Sequence, residues 1–304
     1  MAQQAQAGDP ASSHASSGGL GCPLKNLGNT CYMNAILQVL VDVPGIKQVL
    51  AGSTASTAAS ESLLLLLREL MDILSSGDES TAVSPKALVD SLFDPDSKWV
   101  TKYKAEKGQQ HSADEFLQYL LEQVPELQSC VAFDMLDVNQ TVQPSTILHV
   151  MLVPRAGKVP LSALIHAQFT CKDIPLSNFK SVLIVVVKRW RNEENGNISR
   201  DSTEILLSDP LELYDKGGRN IAQFSLSGFV YHQGRSPTGG HYTAFSQRTI
   251  NDEVKWLLFD DDKKPKERGE EQIKIKVIIT FATVSHLLSA FHIARIFDVG
   301  HPSL

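Results

Sequence analysis

Four residues have the types and settings for nucleophilic acyl chemistry: Cys31, His241, Asp260 and Asn26. Cys31 follows Gly28-Asn29-Thr30 and precedes Tyr32-Met33-Asn34, so it falls in the first turn of a predicted helix. There the unpaired N–H groups and the helix dipole favour a thiolate. A buried, inert cysteine is the other reading of that position. His241 ends the segment His232-Gln233-Gly234-Arg235-Ser236-Pro237-Thr238-Gly239-Gly240-His241, which reads as a loop leading into a strand. Loops hung on a rigid sheet often carry catalytic groups, although a surface or capping role would suit most of the nine histidines.

Hairpin arithmetic ties Asp260 to His241. If His241 to Gln247 pairs antiparallel with Val254 to Asp260, the connection is Arg248 to Glu253 and His241 stands opposite Asp260. Opposed Cβ atoms lie about 5 Å apart, within reach of a carboxylate–imidazole bond. Asp261 then faces the other way, since the strand period is two, and is a secondary candidate. A Cys–His–Asp set of nucleophile, base and orienting acid follows. Asn26 precedes the helix by a short turn. Its amide could join the Cys31 N–H at an oxyanion, or it could simply make the turn.

The elements that must position these groups divide by period. Met33, Ile36, Leu37 and Leu40 recur at helix spacing until Pro44-Gly45, and Leu63 to Leu74 predicts a buried second helix. Ser84-Pro85 opens a third helix, and Ser112 with Glu115 reads as a capping box for a fourth through Leu121. After Thr146 the signals are β: Val182 to Val187, Phe224 to Tyr231, His241 to Phe245 and Val254 to Phe259. A helical half followed by a sheet half predicts an α+β fold. Residues 1–19 are Ala, Ser, Gln and Gly with little to bury and read as disordered.

Composition narrows the class. Hydrophobic residues make up 42% and charged ones 20%, with a net charge of -6 and no basic block, which argues against a nucleic-acid partner. Cys22, Cys31, Cys130 and Cys171 form no CxxC pair, so no metal site, no cofactor and no disulfide framework is expected. A reducing compartment, cytoplasm or nucleus, is the expected location. Val277 to Ala294 carries no formal charge and approaches a membrane span in length. His286, His292, Ser285 and Ser289 within it favour a strand at Ile278 to Phe281 and a short helix from Leu287. No membrane span is expected.

Leu24-Lys25-Asn26-Leu27-Gly28-Asn29-Thr30-Cys31-Tyr32-Met33-Asn34 resembles the cysteine box of the ubiquitin-specific proteases. Gly239-Gly240-His241-Tyr242-Thr243-Ala244-Phe245 and Trp256-Leu257-Leu258-Phe259-Asp260-Asp261 resemble the two parts of their histidine box. Gln110-His111-Ser112-Ala113-Asp114-Glu115-Phe116-Leu117 and the strand from Ile174-Pro175 to Val187-Lys188-Arg189-Trp190 resemble two further segments, all in family order. The resemblance implies a papain-like fold within residues 20–304: a helical thumb over 20–124, then a fingers remnant and a β-sheet palm over 125–304. It implies a deubiquitinase acting on the bond after the C-terminal glycine of ubiquitin or a ubiquitin-like modifier, with Asn26 in the oxyanion role. Gln110, Asp114, Glu115, His232, Gly240 and Tyr242 would line the path of that tail.

Three departures stand out. The paired CxxC zinc ligands common in the fingers are missing, so the fingers should be reduced and zinc-free. Ser112 stands where an acid is common. The usual aromatic-rich last strand is not evident after Asp262. Two other readings compete: an inactive ubiquitin-binding scaffold of the same fold, and a papain-like peptidase acting on ordinary peptides.

Overall fold

The structure is a computed structural model. It describes residues 20–286, excepting 53–57, 76–77, 137–138, 140, 153–156, 173, 237–238 and 270–276. The expected disorder of residues 1–19 and the helix from Leu287 lie outside the described residues.

The helical half comprises α1 (Cys31–Leu40), α2 (Ile46–Gly52), α3 (Ala58–Ser75), α4 (Lys86–Leu92), α5 (Lys98–Thr101), α6 (Ala113–Gln123) and α7 (Pro125–Val131). The helical layer thus extends past residue 124, because Leu127, Cys130 and Val131 of α7 pack into the same core. Every residue of α1 is buried, including the polar Asn34 and Gln38. The expected capping box of α6 does not close. Ser112 is the N-cap, but its hydroxyl donates to Asp114 Oδ1 rather than accepting a helix N–H.

The sheet half runs β1 (Phe133–Leu136), β2 (Val142–Ser145), β3 (Leu148–Met151), β4 (Lys158–Pro160), α8 (Leu161–Gln168), β5 (Leu176–Ser177), β6 (Val182–Lys188), β7 (Trp190–Asn192) and β8 (Ile198–Arg200). It continues through β9 (Glu204–Leu206), β10 (Leu211–Tyr214), β11 (Asn220–Ser236), β12 (Gly239–Ile250), β13 (Glu253–Asp260), β14 (Lys263–Arg268) and β15 (Val277–His286). The main sheet has the order β14-β13-β12-β11-β15-β6-β3, with β10 also on β11.

The continuous apolar run of β6 is explained by burial on both faces. Val182, Ile184 and Val186 face the helical half, whereas Leu183, Val185 and Val187 pack in a second core with Leu164 and Ile165 of α8. The last strand is present after all. β15 lies between β11 and β6, with Ile279 and Phe281 buried against the helices. Val277–His286, the described part of that apolar stretch, is therefore a central strand. Among the described residues no helix is long and apolar enough to cross a membrane. β1, β2 and β5 form a separate small sheet whose residues include no cysteine.

The two halves meet where α1 lies on β11 and β12. A Cβ on Gly228 would come within 2.6 Å of Val39 Cγ1 and 2.9 Å of the Phe245 carbonyl oxygen, so glycine is what permits this approach. At the far end of α1, Arg248 Nε donates to both carboxylate oxygens of Asp42, at 2.7 and 2.8 Å. The same guanidinium lies 5.1 Å from the ring centre of Phe259.

Candidate active site

Gly28 and Asn29 both take left-handed φ values, 98° and 55°, and turn the chain sharply into α1. That turn makes Cys31 the first helical residue. Asn26 Oδ1 accepts the N–H groups of Gly28 at 3.0 Å and Thr30 at 3.1 Å, and Thr30 Oγ1 accepts that of Leu27 at 2.9 Å. Asn29 Nδ2 donates to the Gly108 carbonyl at 2.7 Å, which ties the cysteine turn to the segment before α6.

His241 is the third residue of β12, not the first residue after a long loop, because β11 runs on to Ser236 and pairs with Gly239. Its Nε2 donates to Asp260 Oδ1 at 2.6 Å. An ionised carboxylate only accepts, so this bond fixes a proton on Nε2 and leaves Nδ1 as the nitrogen that can serve the sulfur. The imidazole is pushed up to about 9 by its hydrogen bond with Cys31; burial opposes this and the Asp260 bond adds to it. Burial works to raise the Asp260 carboxyl, but Lys263 and His241 together hold it below its ordinary value.

The hairpin register differs from the expected one. Ile250 pairs with Glu253 and Ala244 with Phe259, so the turn is only Asn251-Asp252, both at positive φ. A tight turn of this kind matches the twist of the flanking strands. The ladder is shifted by two residues, so Asp260 is the diagonal neighbour of His241 rather than the directly opposed one. A shift of two preserves the face, which is why the bond survives.

Asp261 corrects the sequence reading. It lies beyond the end of β13 at φ 50°, so strand alternation no longer governs its side chain. The carboxylate turns into the site: Oδ1 accepts from Asn34 Nδ2 and Oδ2 from Asn26 Nδ2, both at 2.8 Å. Its Oδ2 lies 4.0 Å from His241 Nδ1. His241, Asp260 and Asp261 offer ligand atoms within 4.8 Å of one another. Their oxygens are already engaged by His241, Lys263, Asn34 and Asn26. The cluster reads as a proton-transfer site.

The expected tail-binding residues separate into two groups. Gly240 is exposed at φ 146°, and a Cβ there would meet His232 Nε2 at 2.3 Å and the Gln233 carbonyl at 2.4 Å, so it must be glycine. Glu115 is exposed in the first turn of α6 and makes no hydrogen bond or ion pair among the described residues. Partial desolvation first, and Asp114 second, push its carboxyl up. Gln110 Nε2 lies 3.4 Å from His232 Nε2. These three remain open to a ligand.

The other three do not. His232 is 0% exposed, its ring centre 4.4 Å from that of Tyr242 at a 33° tilt, and burial, then Arg200 and His241, push it down to about 4. It is a neutral wall residue and not a direct contact. Tyr242 is likewise buried, its phenol pushed up by burial. Asp114 is committed to an ion pair with Lys188 and a bond from Ser112. Sequence reasoning missed Asn34, although a buried-phase polar residue one turn beyond Cys31 was a signal. It also missed Lys263, which donates to Asp260 Oδ2 at 2.7 Å from three residues on.

Comparison with known proteins bears on the family and the fold. The family model described as ubiquitin carboxyl-terminal hydrolase matches residues 22–281. Ubiquitin carboxyl-terminal hydrolase 4 of Arabidopsis thaliana is 24% identical, over 78% of this chain and 83% of its own length. Ubiquitin C-terminal hydrolase 12 of the same plant is 27% identical over 80% of this chain, which spans only 25% of that longer protein. Among solved structures, the Ubp8-containing SAGA DUB module bound to ubiquitin aldehyde aligns with a TM-score of 0.67 at 17% identity, covering 90% of this chain and 71% of the other. A yeast SAGA DUB module gives 0.68 at 16% identity, covering 91% and 72%. The fold is the papain-like α+β fold of these enzymes, and the chain belongs to the ubiquitin carboxyl-terminal hydrolase family, among its ubiquitin-specific proteases.

Proposed function

We propose that the chain is an active deubiquitinase that hydrolyses the isopeptide or peptide bond after the C-terminal glycine of ubiquitin or a ubiquitin-like modifier. The observation that carries this reading is the ordered set at the α1–β12–β13 junction: Cys31 opens α1, and His241 is held by Asp260 at 2.6 Å with its other nitrogen free for the sulfur. The sulfur of Cys31, its proton already held on His241 Nδ1, attacks the glycine carbonyl. The Cys31 N–H and the Asn26 N–H not bonded to Asp261 would hold the oxyanion. His241 then protonates the leaving amine, and a water deprotonated by the same imidazole releases the acyl group. Asp260 orients the ring throughout and does not itself take the proton.

Cys31 is only 2% exposed, and at Gly240 the His232 ring and the Gln233 carbonyl leave no room for a Cβ. Both features suit a slender acyl chain ending in glycine. Glu115 is the free carboxylate nearest that path and would pair with an arginine of the ubiquitin tail. The described cysteines are all free, in keeping with a reducing compartment, the cytoplasm or nucleus.

Hydrolysis of a fluorogenic amide of the ubiquitin C-terminus, compared with a generic peptide amide, tests the reading. Turnover of the ubiquitin amide that vanishes in Cys31→Ala is expected. Tight ubiquitin binding without any turnover would make the chain a scaffold, and faster cleavage of the generic amide would make it an ordinary peptidase.

A further inference from the structure

The oxyanion donor is the least constrained part of such a site. Asn26 lies on an exposed turn rather than on a helix or strand, yet its amide must be aimed to within a few tenths of an ångström to act. Its oxygen end is fixed by the Gly28 and Thr30 N–H groups. Among the described residues its nitrogen end is held by Asp261 Oδ2 alone. Asp261 is itself past the end of its strand, so something must hold that carboxylate in turn.

Asn34 does so. It lies on α1 one turn beyond Cys31 and is 2% exposed. Its Nδ2 faces three acceptors: Asp261 Oδ1 at 2.8 Å, the Lys25 carbonyl at 3.2 Å and the Leu24 carbonyl at 3.4 Å. Since all three only accept, the amide can point no other way. The Asn34 oxygen is left buried without a partner, an arrangement that costs stability and is not explained by packing alone. The Leu24 N–H closes the circuit by donating to the Asp261 carbonyl at 3.0 Å. One buried amide thus binds both the main chain leading into Asn26 and the carboxylate that holds the Asn26 side chain.

We propose that Asn34 is a positioning residue of the oxyanion hole, acting through Asp261 to aim the Asn26 amide at the developing oxyanion. The proposal rests on the hydrolase reading above. The nucleophile and its oxyanion donor are then set from the same helix.

A double-mutant cycle on the ubiquitin C-terminal amide tests this, with the alkylation rate of Cys31 by iodoacetamide as a second readout. Asn26→Ala should lower kcat about 100-fold with KM held, the scale for loss of one oxyanion donor. Asn34→Ala should lower kcat about 30-fold, since the donor remains but wanders. The double variant should match Asn26→Ala to within about twofold, because Asn34 has nothing left to aim. Alkylation, which forms no oxyanion, should keep its wild-type rate in all three.

Should Asn34→Ala fail to fold, Asp261→Asn breaks the same relay from outside the helix and should show the same lack of additivity with Asn26→Ala. Losses that multiply in the double variant, or alkylation falling in step with kcat, would show that Asn34 merely supports the helix. If the wild type cuts only the generic amide, the ubiquitin reading fails and the cycle is scored on that substrate. If it cuts neither, both ideas fall together.

Discussion

The sulfur of Cys31 and the carboxylate of Asp260 act on opposite nitrogens of the same His241 ring. With both in place the imidazole is held charged up to about 9, so the group that must protonate the leaving amine keeps its proton through neutral pH. Above that value the acid is lost, and kcat/KM should fall on a basic limb near pH 9. Asp260→Asn removes one of the attractions that raise the ring, so the limb should move to lower pH. It should also cost kcat about three orders of magnitude or more through loss of orientation. A pH–rate profile of both proteins checks the sign; an upward or absent shift would mean that Asp260 does not act on the ring. Cys31→Ala should abolish turnover and leave the melting temperature nearly unchanged, since alanine is well tolerated in a helix's first turn. Residual hydrolysis in that variant would move the nucleophile elsewhere, with exposed Cys171 the first to examine.

At the scale of elements, legibility followed the distance in sequence over which a signal acts. The glycine-led turn into α1 and the two-sided burial of β6 are local, and both were readable from residue types. The register of β12 on β13 was misplaced by two because Asn251-Asp252 closes the hairpin where a longer connection was expected. The triad survived because the error equalled the side-chain period of a strand. Asp261 failed for the complementary reason: alternation was extended one residue past the strand's end, into a left-handed residue where it has no force. Helix α6 gives a further test. Its N-cap hydroxyl is turned to Asp114, so Glu115 closes no capping box and stands free at the first turn. Glu115→Gln should therefore raise KM for the ubiquitin amide at least about tenfold, the value of one charge-assisted bond, and leave the melting temperature alone. An unchanged KM in the folded variant would remove Glu115 from the binding path.

At the scale of the whole molecule, catalysis depends on two halves that share no covalent constraint other than the chain itself. Cys31 rides on the helical half and His241 on the sheet, so any sliding of α1 across β11 and β12 would separate them. The placement of β15 between β11 and β6 joins the hairpin that carries His241 to the rest of the sheet, and it was invisible in sequence because strand order is a non-local property. The far end of α1 meets the sheet at Arg248 and Asp42, whose side chains are only 8% and 10% exposed. Removing one member strands a buried charge, which typically costs about 3–5 kcal/mol, whereas replacing both with apolar groups of similar size costs far less. Arg248→Met should therefore lower the midpoint of chemical denaturation sharply, and Arg248→Met with Asp42→Leu should recover much of it. Because the pair lies at the opposite end of α1 from Cys31, the fraction of Arg248→Met that remains folded should retain near-normal KM while losing kcat only as far as α1 slips. Denaturation midpoints and active-site titration on the three proteins decide the matter: equal destabilisation of the single and double variants would mean that the ion pair, rather than the packing around it, fastens the helix to the sheet.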